Sequence, residues 1–181
     1  MRRSEPEHHR VVVIGAGFAG IGIGVKLGEL GITDYVICER NESVGGTWFE
    51  HTYPGCGCDI PTHLYSFSFA RNPGWSRLFP KQDEILEYLR GVANERGITG
   101  HIRFGCEMLR SSWDEDACRW RVETSQGVLS CDVLVSAIGA TAEPDEPDIP
   151  GLEAFTGHRF HSARWDWDRD LSGERVAVIG T

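Results

Sequence analysis

The 181-residue sequence has no CxxC pair, no surplus of positive charge, no low-complexity tract and no uninterrupted apolar run of bilayer length. Each absence excludes something. The six cysteines, Cys38, Cys56, Cys58, Cys106, Cys118 and Cys131, form no regular framework, and Cys56-x-Cys58 has no second pair at zinc-site spacing. A disulfide scaffold and a zinc site are therefore disfavoured; no metal is expected, and reduced thiols in a cytoplasmic protein are the simpler reading. Lys and Arg number 18 against 27 Asp and Glu, a formal net charge of -9. Such a surface disfavours nucleic acid and anionic membranes as partners. Met1-Arg2-Arg3 ahead of the apolar stretch 11–25 imitates a signal peptide. Glu5, Pro6 and Glu7 intervene and glycines fill the stretch, so neither secretion nor a membrane span is expected. What remains is ordinary globular composition, 40% hydrophobic and 25% charged, in enough chain for one to one-and-a-half domains.

The 22 glycines cluster around motifs. Residues 10–15 are a continuous β-branched run suited to a buried parallel strand. A helix is expected over 18–30, weak in isolation because of Gly22, Gly24 and Gly28, with Gly31 as its stop. Tyr35 to Cys38 is a second short strand, completing a βαβ unit. Residues 41–61 carry turn chemistry throughout, but their tryptophan, tyrosine and cysteines argue against disorder. The clearest amphipathic helix runs from Lys81 to Arg96, with Ile85, Leu86, Leu89 and Val92 on one face and Gly97 as its stop. Three strands at about 102–109, 118–124 and 127–130 read as an antiparallel meander, followed by a buried strand at 132–138. The three prolines of 142–151 mark a linker. Finally, Arg175-Val-Ala-Val-Ile-Gly180 repeats Arg10-Val-Val-Val-Ile-Gly15. The implied fold class is α/β: a Rossmann-like domain over 8–141, a linker over 142–172, and over 173–181 the first strand of a second, truncated dinucleotide-binding domain.

Gly15-Ala16-Gly17-Phe18-Ala19-Gly20 is GxGxxG between a strand and a helix, the context that makes it meaningful. Gly15 allows the tight turn, Gly17 the approach of a pyrophosphate, and Gly20 close packing of helix on strand. The pyrophosphate would sit on the helix N-terminus, where unpaired N–H groups favour anions. Glu39 follows Gly20 at the distance of the residue that accepts hydrogen bonds from a ribose diol and repels a 2′-phosphate, so this site should take FAD or NAD rather than NADP. Arg40 is open to two readings, a cofactor contact or a solvated side chain.

Two longer motifs give the sequence a family likeness. Gly46-Thr47-Trp48 through Tyr53-Pro54-Gly55 to Asp59 fits GxWxxxxYPGxxxD, and Phe155 through Gly157 and His161 to Trp165-Asp166 fits FxGxxxHxxxW(P/D). Together with the glycine loop, they resemble the Baeyer–Villiger branch of the flavin-containing monooxygenase superfamily. Trp165-Asp166 favours that branch over the N- and S-oxidising one. The resemblance implies FAD in the first Rossmann domain and NADPH in a second. It also implies O₂ activation as a C4a-peroxyflavin and oxygenation of a ketone to an ester or lactone. By the same resemblance, Gly15, Gly17, Phe18, Ala19 and Gly20 hold the FAD pyrophosphate, Glu39 the adenosine ribose, and Met108 the adenine. Gly46, Thr47, Trp48, Cys58 and Tyr65 lie toward the flavin. Asp59 would orient an arginine beside flavin and nicotinamide, and His161 and Trp165 would lie on the hinge that couples NADPH to domain motion. Blander readings stand beside these: Asp59 as a helix N-cap ahead of Ile60-Pro61, Trp48 as core, His161 as structural. The family's arginine and NADPH domain lie outside these residues, so the chain reads as an N-terminal fragment, expected to be inactive alone. The alternatives are an N- or S-oxidising enzyme, or a non-catalytic FAD-binding module.

Overall fold

The computed structural model describes residues 5–180; Thr181 and the signal-like Met1-Arg2-Arg3 lie outside the described residues. Strand β1 (Glu7–Ile14) is followed by α1 (Phe18–Glu29) and β2 (Tyr35–Cys38), the expected βαβ unit. A one-turn helix α2 (Thr47–Glu50) and a long loop lead to α3 (Gln82–Glu95). Then come β3 (Ile102–Arg103), β4 (Met108–Asp114), β5 (Arg119–Thr124) and β6 (Gly127–Ser136). All six strands form one sheet in the order β3-β2-β1-β6-β5-β4. β3, β2, β1 and β6 run parallel to one another, and β5 and β4 extend the sheet antiparallel.

Alternation along a strand sends successive side chains to opposite faces. Val11 and Val13 of β1, with Tyr35 and Ile37 of β2, therefore enter one core, under Ile21 and Val25 of α1 and Ile85, Leu89 and Val92 of α3. Val12, Ile14, Val36 and Cys38 enter the other, with Cys106, Val122, Leu129 and Cys131. One glycine of α1, Gly24, lets the helix lie close to the sheet. A Cβ on Gly24 would come within 2.9 Å of the Ile37 Cδ1, and the Tyr35 hydroxyl donates to the Gly24 carbonyl. The loop before α3 is ordered by its own backbone: Cys58 N–H donates to the Pro80 carbonyl, Gln82 N–H to that of Cys56, and Thr62 N–H to that of Leu78.

Four expectations change. The span 102–109 is two strands, β3 at the parallel edge beside β2 and the start of β4, separated by a turn through Gly105 with φ +65°. The pieces 127–130 and 132–138 are one strand, β6, which pairs with β5 over its first half and with β1 over nearly all its length. Nor is its second half fully buried, since Val133 is half exposed. No helix begins at Asp59, so it caps none. Residues 175–180 form no strand: no sheet edge pairs with them, and Val176, Val178 and Ile179 are 56%, 83% and 63% exposed. A strand exists only where its N–H and C=O groups find a partner chain. Among the described residues no helix is long and apolar enough to cross a membrane.

Candidate functional site

Parallel sheets place ligand sites beyond the carboxyl ends of their strands, where the order reverses. Here that point lies between β1 and β6, and a cavity of about 460 Å³ opens beside it. The volume falls within the range of ordinary small-molecule sites. Its floor is the turn after β1. Gly15 has φ +98°, and a Cβ there would lie 2.6 Å from the Ala137 carbonyl oxygen. A Cβ on Gly20 would lie 1.9 Å from the Gly15 carbonyl oxygen. Gly20 thus packs helix against turn without lining the cavity. Gly17 is the N-cap of α1 and faces Gly46, where a Cβ would lie 3.1 Å from the Gly17 Cα. Two backbones meeting this closely, over a helix N-terminus with no acidic side chain in its first turn, make a cradle for an anion.

Glu39, at the end of β2, is only 3% exposed. Its Oε2 accepts from Ala16 N–H at 2.7 Å, and its Oε1 from the Asn41 N–H and Nδ2, both at 2.9 Å. Three donors hold a buried carboxylate at the cavity wall, and Oε2, with one donor, keeps room for another. At the opposite end Trp48 Nε1 donates to the Tyr65 hydroxyl at 3.0 Å, and Phe18 meets the Tyr65 ring edge-on at 4.9 Å. Burial pushes the Tyr65 hydroxyl pKa up. Trp48 is therefore both core and cavity wall.

The cavity brings together Gly15, Gly17, Phe18, Ala19, Glu39, Arg40, Gly46, Thr47, Trp48, Tyr65 and Met108. Cys58, Asp59 and His161 do not line it. Cys58 is buried behind it, and its Sγ accepts from Ile60 N–H at 3.4 Å. Asp59 is exposed, close enough to Tyr65 for its charge to add to that pKa rise. His161 Nδ1 accepts from Ala163 N–H at 3.0 Å, capping a short 3-10 turn at Ser162–Arg164. Trp165 borders a smaller neighbouring cleft together with Arg40, Glu50, Thr52 and Arg164, and Trp167 Nε1 ties the same segment to Thr52 Oγ1 at 2.9 Å. His51 Nε2, beneath this segment, is buried without a partner among the described residues, and burial pushes its pKa down.

Sequence reasoning missed one whole wall. Ala137, Ile138 and Gly139 after β6, with Ala142 and Glu143, line the cavity. The signal was faint: a strand ending in Ala-Ile-Gly just before the linker. Also missed was Glu50, whose Oε1 accepts from Arg40 Nε and Nη2 and from Asn41 Nδ2.

The pyridine nucleotide-disulphide oxidoreductase family matches residues 12–181. A Baeyer-Villiger monooxygenase of Streptomyces coelicolor is 56% identical over 175 residues, which cover 97% of this chain and 34% of that protein. An FAD-binding monooxygenase of Aspergillus niger is 40% identical over 94% of this chain and 30% of its own length. Among solved structures, cyclohexanone monooxygenase from Rhodococcus sp. Phi1 bound to NADP+ superposes with a TM-score of 0.86 at 38% identity, over 98% of this chain and 34% of that one. The chain spans about a third of the length of the curated relatives it matches. The likeness read from the motifs is thus met in both sequence and structure.

Proposed function

The chain belongs to the pyridine nucleotide-disulphide oxidoreductase family, and we propose that its cavity holds FAD within a monooxygenase that also uses NADPH and O₂ and converts ketones to esters or lactones. One observation carries the FAD reading: the buried Glu39 carboxylate and the Gly17–Gly46 cradle stand at one cavity, where a ribose diol and a diphosphate would need them. The residues fit the group. The glycines leave room that a Cβ would fill, the α1 N-terminus offers N–H groups to a diphosphate, and Trp48 and Tyr65 give an apolar wall for an isoalloxazine. The adenine would lie toward Met108. A bound flavin would supply electron transfer and oxygen activation; the protein supplies orientation and dryness.

Ketone oxygenation rests on the kinship with Baeyer-Villiger and cyclohexanone monooxygenases and on Trp165-Asp166. In that reading residues 8–141 are the FAD domain and 142–172 the linker. The repeat at 175–180 belongs to a second dinucleotide-binding unit. Asp59, His161 and Trp165 then act at the junction with that unit, which agrees with their position outside the cavity. A chain of residues 1–181 alone should hold FAD without oxidising NADPH, because the resemblance puts the NADPH phosphate loop and the arginine partner of Asp59 outside it.

The test is reconstitution. The purified chain, mixed with excess FAD and desalted, should keep about one flavin per chain. Glu39→Gln should lose at least about tenfold in affinity, since it removes a charge-assisted acceptor for the diol. FMN, which lacks the adenosine half, should be washed away. Retention of FMN equal to FAD, or of neither, would overturn the reading.

A further inference from the structure

The wall that motif reasoning missed is tied to the rest of the site chiefly by one side chain. We propose that Arg40 is a positioning residue, a latch that holds the strap 139–143 against the cavity, rather than a ligand of the cofactor. The guanidinium stands at the end of β2 between α2 and the strap. Toward α2 its Nε and Nη2 donate to Glu50 Oε1 at 2.9 and 2.8 Å. Toward the strap Nη2 donates to the Ala142 carbonyl at 2.6 Å, and Nη1 donates to the Glu143 carboxylate. Every nitrogen of the planar fork is thus occupied by a protein acceptor. The α2 side of the latch is built in, with Glu50 only 11% exposed in its side chain; the strap side is open, with Glu143 75% exposed.

The strap has few other anchors. Its backbone N–H groups donate to no backbone carbonyl among the described residues, and the Thr47 and Thr141 hydroxyls, 3.2 Å apart, give one further link to α2. Yet Gly139, Ala142 and Glu143 line the cavity directly. Holding them is a task for several donors spread in a plane, which arginine has and lysine lacks. Partial burial works against the Arg40 charge, but the hydrogen bonds with Glu143 and Glu50 outweigh it and hold the guanidinium pKa above its ordinary value.

A protease that cuts after alanine reads the latch on the flavin-free chain, because Glu143 and Glu146 each precede a proline that blocks cleavage. When opening is fast, cleavage follows the population of the open strap. Arg40→Gln should speed cleavage after Ala140 and Ala142 by about tenfold, the weight of a lost charge-assisted anchor. Arg40→Lys should rescue little of this. Cleavage after Ala117, in the exposed β4–β5 turn, should not change. Strap cleavage at the wild-type rate in Arg40→Gln would overturn the proposal. If Arg40→Gln accelerates every site, the fold itself has failed. Glu143→Gln, on an exposed side chain, then decides: faster cleavage after Ala140 supports the latch, and an unchanged rate sinks it. With FAD added, Arg40→Gln should release flavin several-fold faster. This last readout alone rests on the FAD reading. A wild-type chain that binds no FAD would defeat that reading and leave the proteolysis result standing.

Discussion

The buried cysteines show how a residue's surroundings set its chemistry. Five of the six are buried and only Cys118 is exposed. Burial, with the neighbouring thiols Cys106 and Cys131, pushes Cys38 from 9.0 up to about 12, and burial pushes Cys131 up to about 11. At pH 8 only about one Cys38 in ten thousand would be a thiolate, the reactive form. An alkylating reagent should therefore modify Cys118 alone in the folded chain and all six cysteines in denaturant, as intact mass would show. The same shifts set a pH dependence. In the unfolded chain these thiols ionise near pH 9, whereas in the fold they stay neutral until about 11 to 12. Their contribution is therefore complete below pH 9 and lost as pH rises through that window, because there the folded state binds more protons. Urea midpoints should hold steady up to pH 9 and fall between 9 and 11. Glu39 shows a residue whose place is legible in the sequence: its spacing after the glycine loop marks it for the cavity wall, and it lines the cavity. Asp59 shows the opposite. Its motif match was unambiguous, yet it stands outside the cavity's lining, because a motif reports ancestry and not position.

Among the elements, α1 offers a sharp test of glycine's two roles. A Cβ on Gly28 meets nothing within 4 Å, whereas one on Gly24 meets Ile37 at 2.9 Å and Ile98 at 3.4 Å. Gly28→Ala should stabilise the chain by about 0.5 to 1 kcal/mol through a better helix former and a less flexible unfolded state. Gly24→Ala should gain nothing and lose up to about 1 to 3 kcal/mol to overpacking. Thermal melts of the two variants against the parent decide it; equal shifts would mean that α1 does not pack as closely as described. β1 and β2 were legible as continuous apolar runs, α1 from the glycine loop that opens it, and α3 from the helical spacing of its apolar residues. β6 was not. Asp132 reads as a break in the apolar pattern, yet it stands exposed on the open side of a continuous strand, 3.6 Å from His8 of β1. A lone sequence cannot tell a polar residue on an open strand face from a turn. The strap was illegible for a related reason. Its place at the cavity follows from β6 pairing with β1, a contact between distant segments to which no local pattern points.

At the scale of the whole molecule, the apolar surface is uneven. Val176, Val178 and Ile179 lie exposed in a segment without strand partners, the kind of edge-seeking sequence that promotes self-association. Val178→Lys, at the most exposed of the three, should lower light scattering of the concentrated chain without moving its melting temperature. A variant that scatters as strongly as the parent would place the sticky surface elsewhere. The sheet order has a consequence for how the chain comes into being. β1 is made first, and in the finished sheet it lies inside, between β2 and β6. β2 arrives soon after, but the other flank waits for β6: His8 meets Ser130, 122 residues later. At roughly 5 to 20 residues per second of synthesis, that interval is about 6 to 24 s. Throughout it Val11 to Ile14 offer one unpaired strand edge to whatever is near. On the ribosome, the central strand of the finished fold is for a time its most vulnerable one.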